Sequence, residues 1–186
     1  MVEIDALRRP QVGVCAVGLE VPAGEGGDGL WDGFSASDDA EIETAEMLVR
    51  GISGGRWHAL LIVAKGRAGG PLRVQLRAEN RSADGPGRLF PTGPAMARAT
   101  APAAELVRAF QGAGFETEAS SEGPCDTAGA LLFRTLLALA DCSDAPPVGL
   151  VRVPADASGE AVDRMIGIGA PVMARRLAPL RQVVVG

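Results

Sequence analysis

Short apolar runs alternate along this chain with turns rich in glycine and proline. Val12 to Val21 (VGVCAVGLEV) is apolar and β-branched, as suits a strand, and it stops at Pro22 before a Gly-rich stretch, Gly24 to Gly29, expected as a surface loop. Asp38 and Asp39 stand where a helix cap is expected, ahead of Ile42, Ala45, Leu48 and Val49 at helical spacing, with Gly51 as terminator. Ala59 to Ala64 (ALLIVA) is a continuous apolar run bounded by turn residues, the pattern of a strand covered on both faces in a parallel sheet.

After the turn Gly66-Arg67-Ala68-Gly69-Gly70 the pattern becomes alternating. Leu72, Val74, Leu76 and Ala78 fall on one side and Arg73, Gln75, Arg77 and Glu79 on the other, which predicts a half-buried strand with a polar face. Residues 80–99 read as a long loop, and Thr100 and Pro102 open a helix that carries Leu106, Val107 and Phe110 inward and ends near Gly112-Ala113-Gly114. Phe115 to Ser121 follows as a strand. Asp126 or Thr127 caps a helix that is apolar on most sides (Leu131, Leu132, Phe133, Leu136, Leu137, Leu139), and Val148 to Val153 is another buried strand. Ser158 caps a closing helix with a kink or break expected at Gly169-Ala170-Pro171, and Leu180 to Val185 is a candidate edge strand. Strands alternating with helices in this order predict a three-layer α/β/α fold with a mostly parallel central sheet, without internal repeats.

Length and charge narrow the function classes. The 186 residues suit one domain over 1–186, able to bury roughly two thirds of its unfolded surface. Hydrophobic residues at 47% and charged residues at 22% are ordinary for a globular chain, and 25 glycines and 13 prolines match the many turns. A net charge of -5, a single lysine (Lys65) and 4% aromatics leave neither a phosphate-binding stripe nor a base-stacking platform, so nucleic acid is not an expected partner. The start, Met-Val-Glu-Ile-Asp, lacks a basic region followed by an apolar one, and no apolar stretch is long enough to span a bilayer, so a cytoplasmic protein with no membrane partner is expected. Cys15, Cys125 and Cys142, far apart and accompanied by the single histidine His58, make neither a disulfide framework nor a zinc site, so reduced thiols, no metal and no cofactor are expected.

Several segments, in order, resemble pyroglutamyl peptidase I (pyrrolidone-carboxylate peptidase), a cysteine peptidase family that removes N-terminal pyroglutamate. The likeness runs over about residues 11–178. Gly66-Arg67-Ala68-Gly69-Gly70 resembles the family's GLAGG turn, and Gln75-Leu76-Arg77-Ala78-Glu79-Asn80 its E-R-x-A-x-N strand. Thr100-Ala101-Pro102 with Leu106, Val107 and Gly114 resembles the T-L-P helix, Thr127-Ala128-Gly129 the x-A-G before the catalytic cysteine, and Gly149 to Pro154 (GLVRVP) the G-F-I-H-V-P segment. The resemblance implies the family's α/β/α fold and, by analogy, a homo-oligomer.

It also implies a lost peptidase site. In the family a Glu orients a His, and the His activates a Cys that attacks the scissile carbonyl. By motif position the Cys falls on Phe133, the His on Arg152, and the Glu on Gln75 with a small gap or on Arg77 without one. Phe133 offers no nucleophile, Arg152 holds its proton at physiological pH, and Gln75 carries no charge to stabilise an imidazolium. The family's opening strand and its G-F-E-P-F-G loop, whose aromatics help form the pyroglutamate pocket, find no match. A missing strand is therefore expected, its exposed neighbour covered by Met1 to Ile4 or by a partner subunit.

The candidate cleft residues are Gln75, Arg77, Cys125, Asp126, Arg134 and Arg152. Cys125, ahead of a helix, is a small space-filling residue or a relocated nucleophile. His58, just before a buried strand, is far in sequence from these motifs. Arg152 sits in an apolar strand and needs a counter-charge: Glu79 or Asp126 as a structural partner, or a carboxylate or phosphate ligand with Arg77 or Arg134 assisting. The working expectation is a catalytically dead, pyroglutamyl-peptidase-like protein with a ligand-binding or interaction role in the altered cleft, taking a small-molecule or carboxylate-bearing ligand. The alternative is a divergent enzyme acting on an amide or cyclic small molecule, in specialised metabolism, with a different catalytic set.

Overall fold

The computed structural model describes residues 11–21, 24–26, 29–37, 39–82, 85–142 and 145–175. In chain order the elements are β1 (Val12–Val17), β2 (Gly24–Gly26), β3 (Trp31–Ala36), α1 (Glu41–Ser53), β4 (Ala59–Lys65), β5 (Leu72–Gln75), β6 (Arg77–Glu79), β7 (Met96–Arg98), α2 (Ala103–Gly112), β8 (Thr117–Ser120), α3 (Thr127–Ala138), β9 (Val148–Val153) and α4 (Gly159–Arg175). A seven-stranded sheet runs β2-β3-β1-β4-β9-β5-β8, and β6 and β7 form a separate two-stranded sheet. β1, β3, β4 and β9 are mutually parallel; β2 lies antiparallel to β3 at one edge, β5 antiparallel to β9, and β8 parallel to β5 at the other edge.

Helices cover both faces. Leu106 and Phe110 of α2 and Val162, Met165 and Ile166 of α4 pack with Val14, Leu61 and Val63 on one face. Leu48 of α1 and Leu131, Leu132 and Phe133 of α3 pack with Cys15, Leu60, Ile62 and Leu150 on the other. The central strands are buried on both sides, which is why they read as unbroken apolar runs. Burial pushes the Cys15 thiol up to about 12.

Where the structure departs from the sequence pattern, tertiary packing is the reason. Gly24 to Gly26 is a strand rather than loop, because β3, which lacks the β-branched residues that mark a strand, offers it an edge to pair with. Gly51 lies inside α1 instead of ending it: a Cβ there would sit 2.3 Å from the Trp57 ring, so the glycine makes room for the buried indole, and Gly54 is the C-cap. Asp39 does not cap α1 but takes the Ser37 hydroxyl, Ala40 is the N-cap, and Ile42 is exposed. The single strand expected over 72–78 divides after Gln75, and β6 turns away to pair with β7, a strand within the expected 80–99 loop. α4 runs without a break through Pro171, and the edge strand expected at Leu180 to Val185 lies outside the described residues.

β1 has neighbours on both sides, β3 and β4, so the sheet has no uncovered edge there of the kind a lost strand would leave. No helix among the described residues is long and apolar enough to cross a membrane.

Candidate functional site

The carboxyl ends of β1 and β4 mark the place where the chain diverges. From β1 it leads to β2 and β3 on one side, and from β4 it passes to β5 on the other. Ligands of open α/β sheets favour such a switch point. Here the N-terminus of α3 stands over it. An open cleft of about 460 Å³ is lined by Val17 and Gly18 after β1, Ala64 and Lys65 at the end of β4, and Cys125, Asp126, Thr127 and Ala128 at the head of α3.

Beside this cleft lies a polar cluster that is closed. Arg152, on β9, is 2% exposed. Its Nε donates to Gln75 Oε1 at 2.9 Å, its Nη1 to Asp126 Oδ2 at 2.6 Å and its Nη2 to Asp126 Oδ1 at 2.9 Å. The pair with Asp126 is the bidentate fork in which arginine and carboxylate geometries match. Gln75, also buried, donates from Nε2 to the Arg77 carbonyl at 3.0 Å. It does not lie on a solvated polar face as its place in the alternation predicts: β5 is sandwiched between β9 and β8, and the amide is drawn inward to Arg152. Asp126 does a second job, since its Oδ1 accepts the Gly129 N–H at 2.9 Å and caps α3. Of the structural partners expected for Arg152, the structure selects Asp126; Glu79 instead faces Arg81 at 3.6 Å.

Residues 121–126 form a strap across the cluster. Its first residue is held by Arg77, whose Nε donates to the Ser121 carbonyl at 2.9 Å, and its last is Asp126 itself. In the middle, Gly123 lies directly on Gln75: a Cβ there would stand 2.1 Å from Nε2 and 2.6 Å from Oε1, closer than any side chain can approach. Cys125, exposed, reaches the Ser82 carbonyl at 3.5 Å. The space left beneath the strap is about 30 Å³, room for a water or two and not for a substrate.

The structure therefore brings together Gln75, Asp126 and Arg152, with Arg77 and Cys125 at the rim, and leaves two of the proposed residues elsewhere. Phe133 is fully buried one helical turn beyond Gly129, its ring centroid 6.1 Å from that of Phe90. Arg134 points to the α1 side, where Nε meets Glu41 Oε1 at 2.5 Å and the guanidinium lies 5.0 Å over Phe90, so it does not assist Arg152. His58 is exposed and precedes β4 at its amino end, a strand's length from Lys65. Among the described residues no group of three or more His, Cys, Asp and Glu could hold a metal ion. Sequence reasoning missed Gly123 and the cleft end of β4; the Gly-Pro dipeptide just before the helix cap was the available signal for the former. Asn80, named in the sequence only as the end of the E-R-x-A-x-N match, fastens the long loop by accepting the Phe90 N–H at 2.9 Å and donating to the Phe90 carbonyl at 2.8 Å.

No protein-family model matches the chain, and no curated protein matches it by sequence. Solved structures match its fold. Pyroglutamyl peptidase I from Bacillus amyloliquefaciens superposes with a TM-score of 0.73 at 11% identity, over 89% of this chain and 95% of that one. A variant of pyrrolidone carboxyl peptidase from Pyrococcus furiosus gives 0.73 at 13% identity over 90% and 99%. The pyrrolidone carboxyl peptidase of Thermococcus litoralis gives 0.73 at 12% identity over 90% and 94%. Matches spanning nearly the whole of those chains run against the expectation that their opening strand has no counterpart here. The three-layer arrangement, with its mostly parallel sheet, is the fold of the pyroglutamyl peptidases.

Proposed function

We propose that this protein is a non-catalytic member of the pyroglutamyl-peptidase fold that binds a small carboxylate-bearing molecule in the cleft between β1, β4 and the head of α3. The observation that carries the reading is the state of Arg152. In a peptidase of this fold the corresponding place needs a base free to take a proton, whereas here a permanently charged guanidinium is buried, paired bidentately with Asp126 and bonded to Gln75. A cluster paired in this way orders its surroundings, and its cation has no proton to give up and no lone pair with which to take one. The neighbouring cleft has room for a ligand, and Lys65 on its wall supplies an attractive charge.

The test uses the purified chain. With a chromogenic pyroglutamyl amide no hydrolysis above buffer is expected, and small mono- and dicarboxylates are expected to raise the melting temperature in a saturable way. Enzyme-dependent turnover would overturn the reading. A divergent enzyme is the second reading, favoured by the exposed Cys125 in the cleft wall; turnover lost in Cys125→Ala would establish it. The homo-oligomer implied by the resemblance is a separate expectation, read by light scattering.

A further inference from the structure

Arg152 has one ion-pair partner among the described residues, and that partner sits on the strap rather than on the sheet. The Asp126 side chain is 37% exposed while that of Arg152 is 2% exposed, so the anion of this pair touches solvent and the cation does not. Asp126 also lines both spaces, the small cavity under the strap and the open cleft above it. Residues 121–125 are exposed, and apart from Asp126 the strap is fastened by few bonds: Arg77 to the Ser121 carbonyl, the Ser120 hydroxyl donating to the Glu122 carbonyl and accepting the Glu122 N–H, Cys125 to the Ser82 carbonyl, and the seat of Gly123 on Gln75.

We propose that Arg152 is a carboxylate-binding site which the protein's own Asp126 occupies, and that a carboxylate-bearing ligand entering from the cleft exchanges with Asp126 and swings the strap outward. The proposal rests on the binding reading above and adds how that site is gated. Two arguments support it. Opening without a ligand leaves a buried guanidinium unpaired, which is strongly unfavourable, so the strap stays shut against neutral molecules. Exchange of one carboxylate for another keeps the fork paired, and Gln75, anchored on β5, holds Nε throughout, so the guanidinium stays aimed while its anion changes. The strap is thus an autoinhibitory contact released by the chemistry that it imitates.

The experiment removes the internal carboxylate and keeps the helix cap. Asp126→Ser retains a capping hydroxyl and leaves a gap beside Arg152. Its melting temperature is expected to fall and to be restored in a saturable way by sodium formate or acetate, but not by sodium chloride at equal ionic strength. The double variant Asp126→Ser/Arg152→Met is expected to gain nothing from formate. Wild type is expected to bind formate at least about tenfold more weakly than Asp126→Ser, because the open fraction scales the apparent affinity. No restoration in Asp126→Ser, or equal restoration in the double variant, overturns the proposal.

If Asp126→Ser does not fold in buffer, the wild-type strap decides. In a Cys142→Ser background, which leaves Cys125 as the exposed thiol, saturating acetate should speed alkylation of Cys125 several-fold over matched chloride; an unchanged rate overturns the proposal. Failure of the proposed function itself is seen elsewhere, as turnover of the pyroglutamyl amide by wild type.

Discussion

The strapped cluster around Arg152 and the open cleft at the ends of β1 and β4 share Asp126 and Cys125 as a wall, yet they divide the space unequally between them. The cluster concentrates polar side chains and has about 30 Å³ of room; the cleft has about 460 Å³ and adds to the shared Asp126 and Cys125 only Lys65, Thr127 and small or apolar residues. The residues that look most functional are busy satisfying one another, as burial demands. The residues that leave room for a ligand carry little chemistry of their own. A search for reactive side chains alone therefore finds the cluster and overlooks the cleft.

Substitutions can separate the two regions. Asp126→Ala has the largest expected effect, a loss of about 3 kcal/mol, because it strands the buried guanidinium; solvent access through the strap keeps it near the low end for a broken buried pair. Adding Arg152→Met should recover most of that loss, and urea denaturation of both variants checks it. Gly123→Ala is expected to cost about 1–3 kcal/mol, since a methyl group would overlap the Gln75 amide and force the strap or Gln75 to move. The same variant should loosen the cluster without narrowing the cleft, which a formate titration would read as tighter binding.

A control far from both regions is the alkaline behaviour of Cys15. Its folded-state value of about 12 lies above the ordinary thiol value of 9.0, so its contribution to stability is full below pH 9 and is lost as pH rises from 9 toward 12. The loss by pH 10 is about 1.4 kcal/mol, and Cys15→Ala should show none of it. The chain has no tyrosine and one lysine, so few other groups titrate in that interval and denaturation curves at pH 8 and pH 10 suffice. Smallest is Lys65→Ala, expected to change stability by less than about 0.5 kcal/mol while weakening carboxylate binding to wild type. An Arg152-dependent effect on ligand without any contribution from Lys65 would place the ligand under the strap alone.

The fold was legible where local pattern and burial agree. The run at 148–153 is β9 to the residue, ALLIVA lies within β4, and Asp126 caps α3, because continuous apolar runs and capping chemistry are local signals. β3 was not legible: Trp31–Ala36 is a strand through pairing with β1 and β2, and its own residues carry a weak β signature. Gly51 misled for the same reason, its use being set by Trp57, a packing partner outside the helix. At the site, the need of Arg152 for an anion followed from one charge in an apolar strand, and Asp126 was one of the candidates. Choosing it over Glu79 required knowing that β6 turns away from β5, which no periodicity reveals.

The contact of Gly123 with Gln75 also yields a way to sort related chains without a structure. A relative that keeps Arg at 152, Asp at 126 and Gln at 75 holds this arrangement unshifted only with glycine at 123, because a Cβ there would meet the Gln75 amide at 2.1 Å and the amide or the strap would have to move. A relative with a side chain at that position must carry its strap elsewhere and present the arginine differently. Four letters, read together from an alignment, thus divide such proteins into a shut and an open class before any of them is purified.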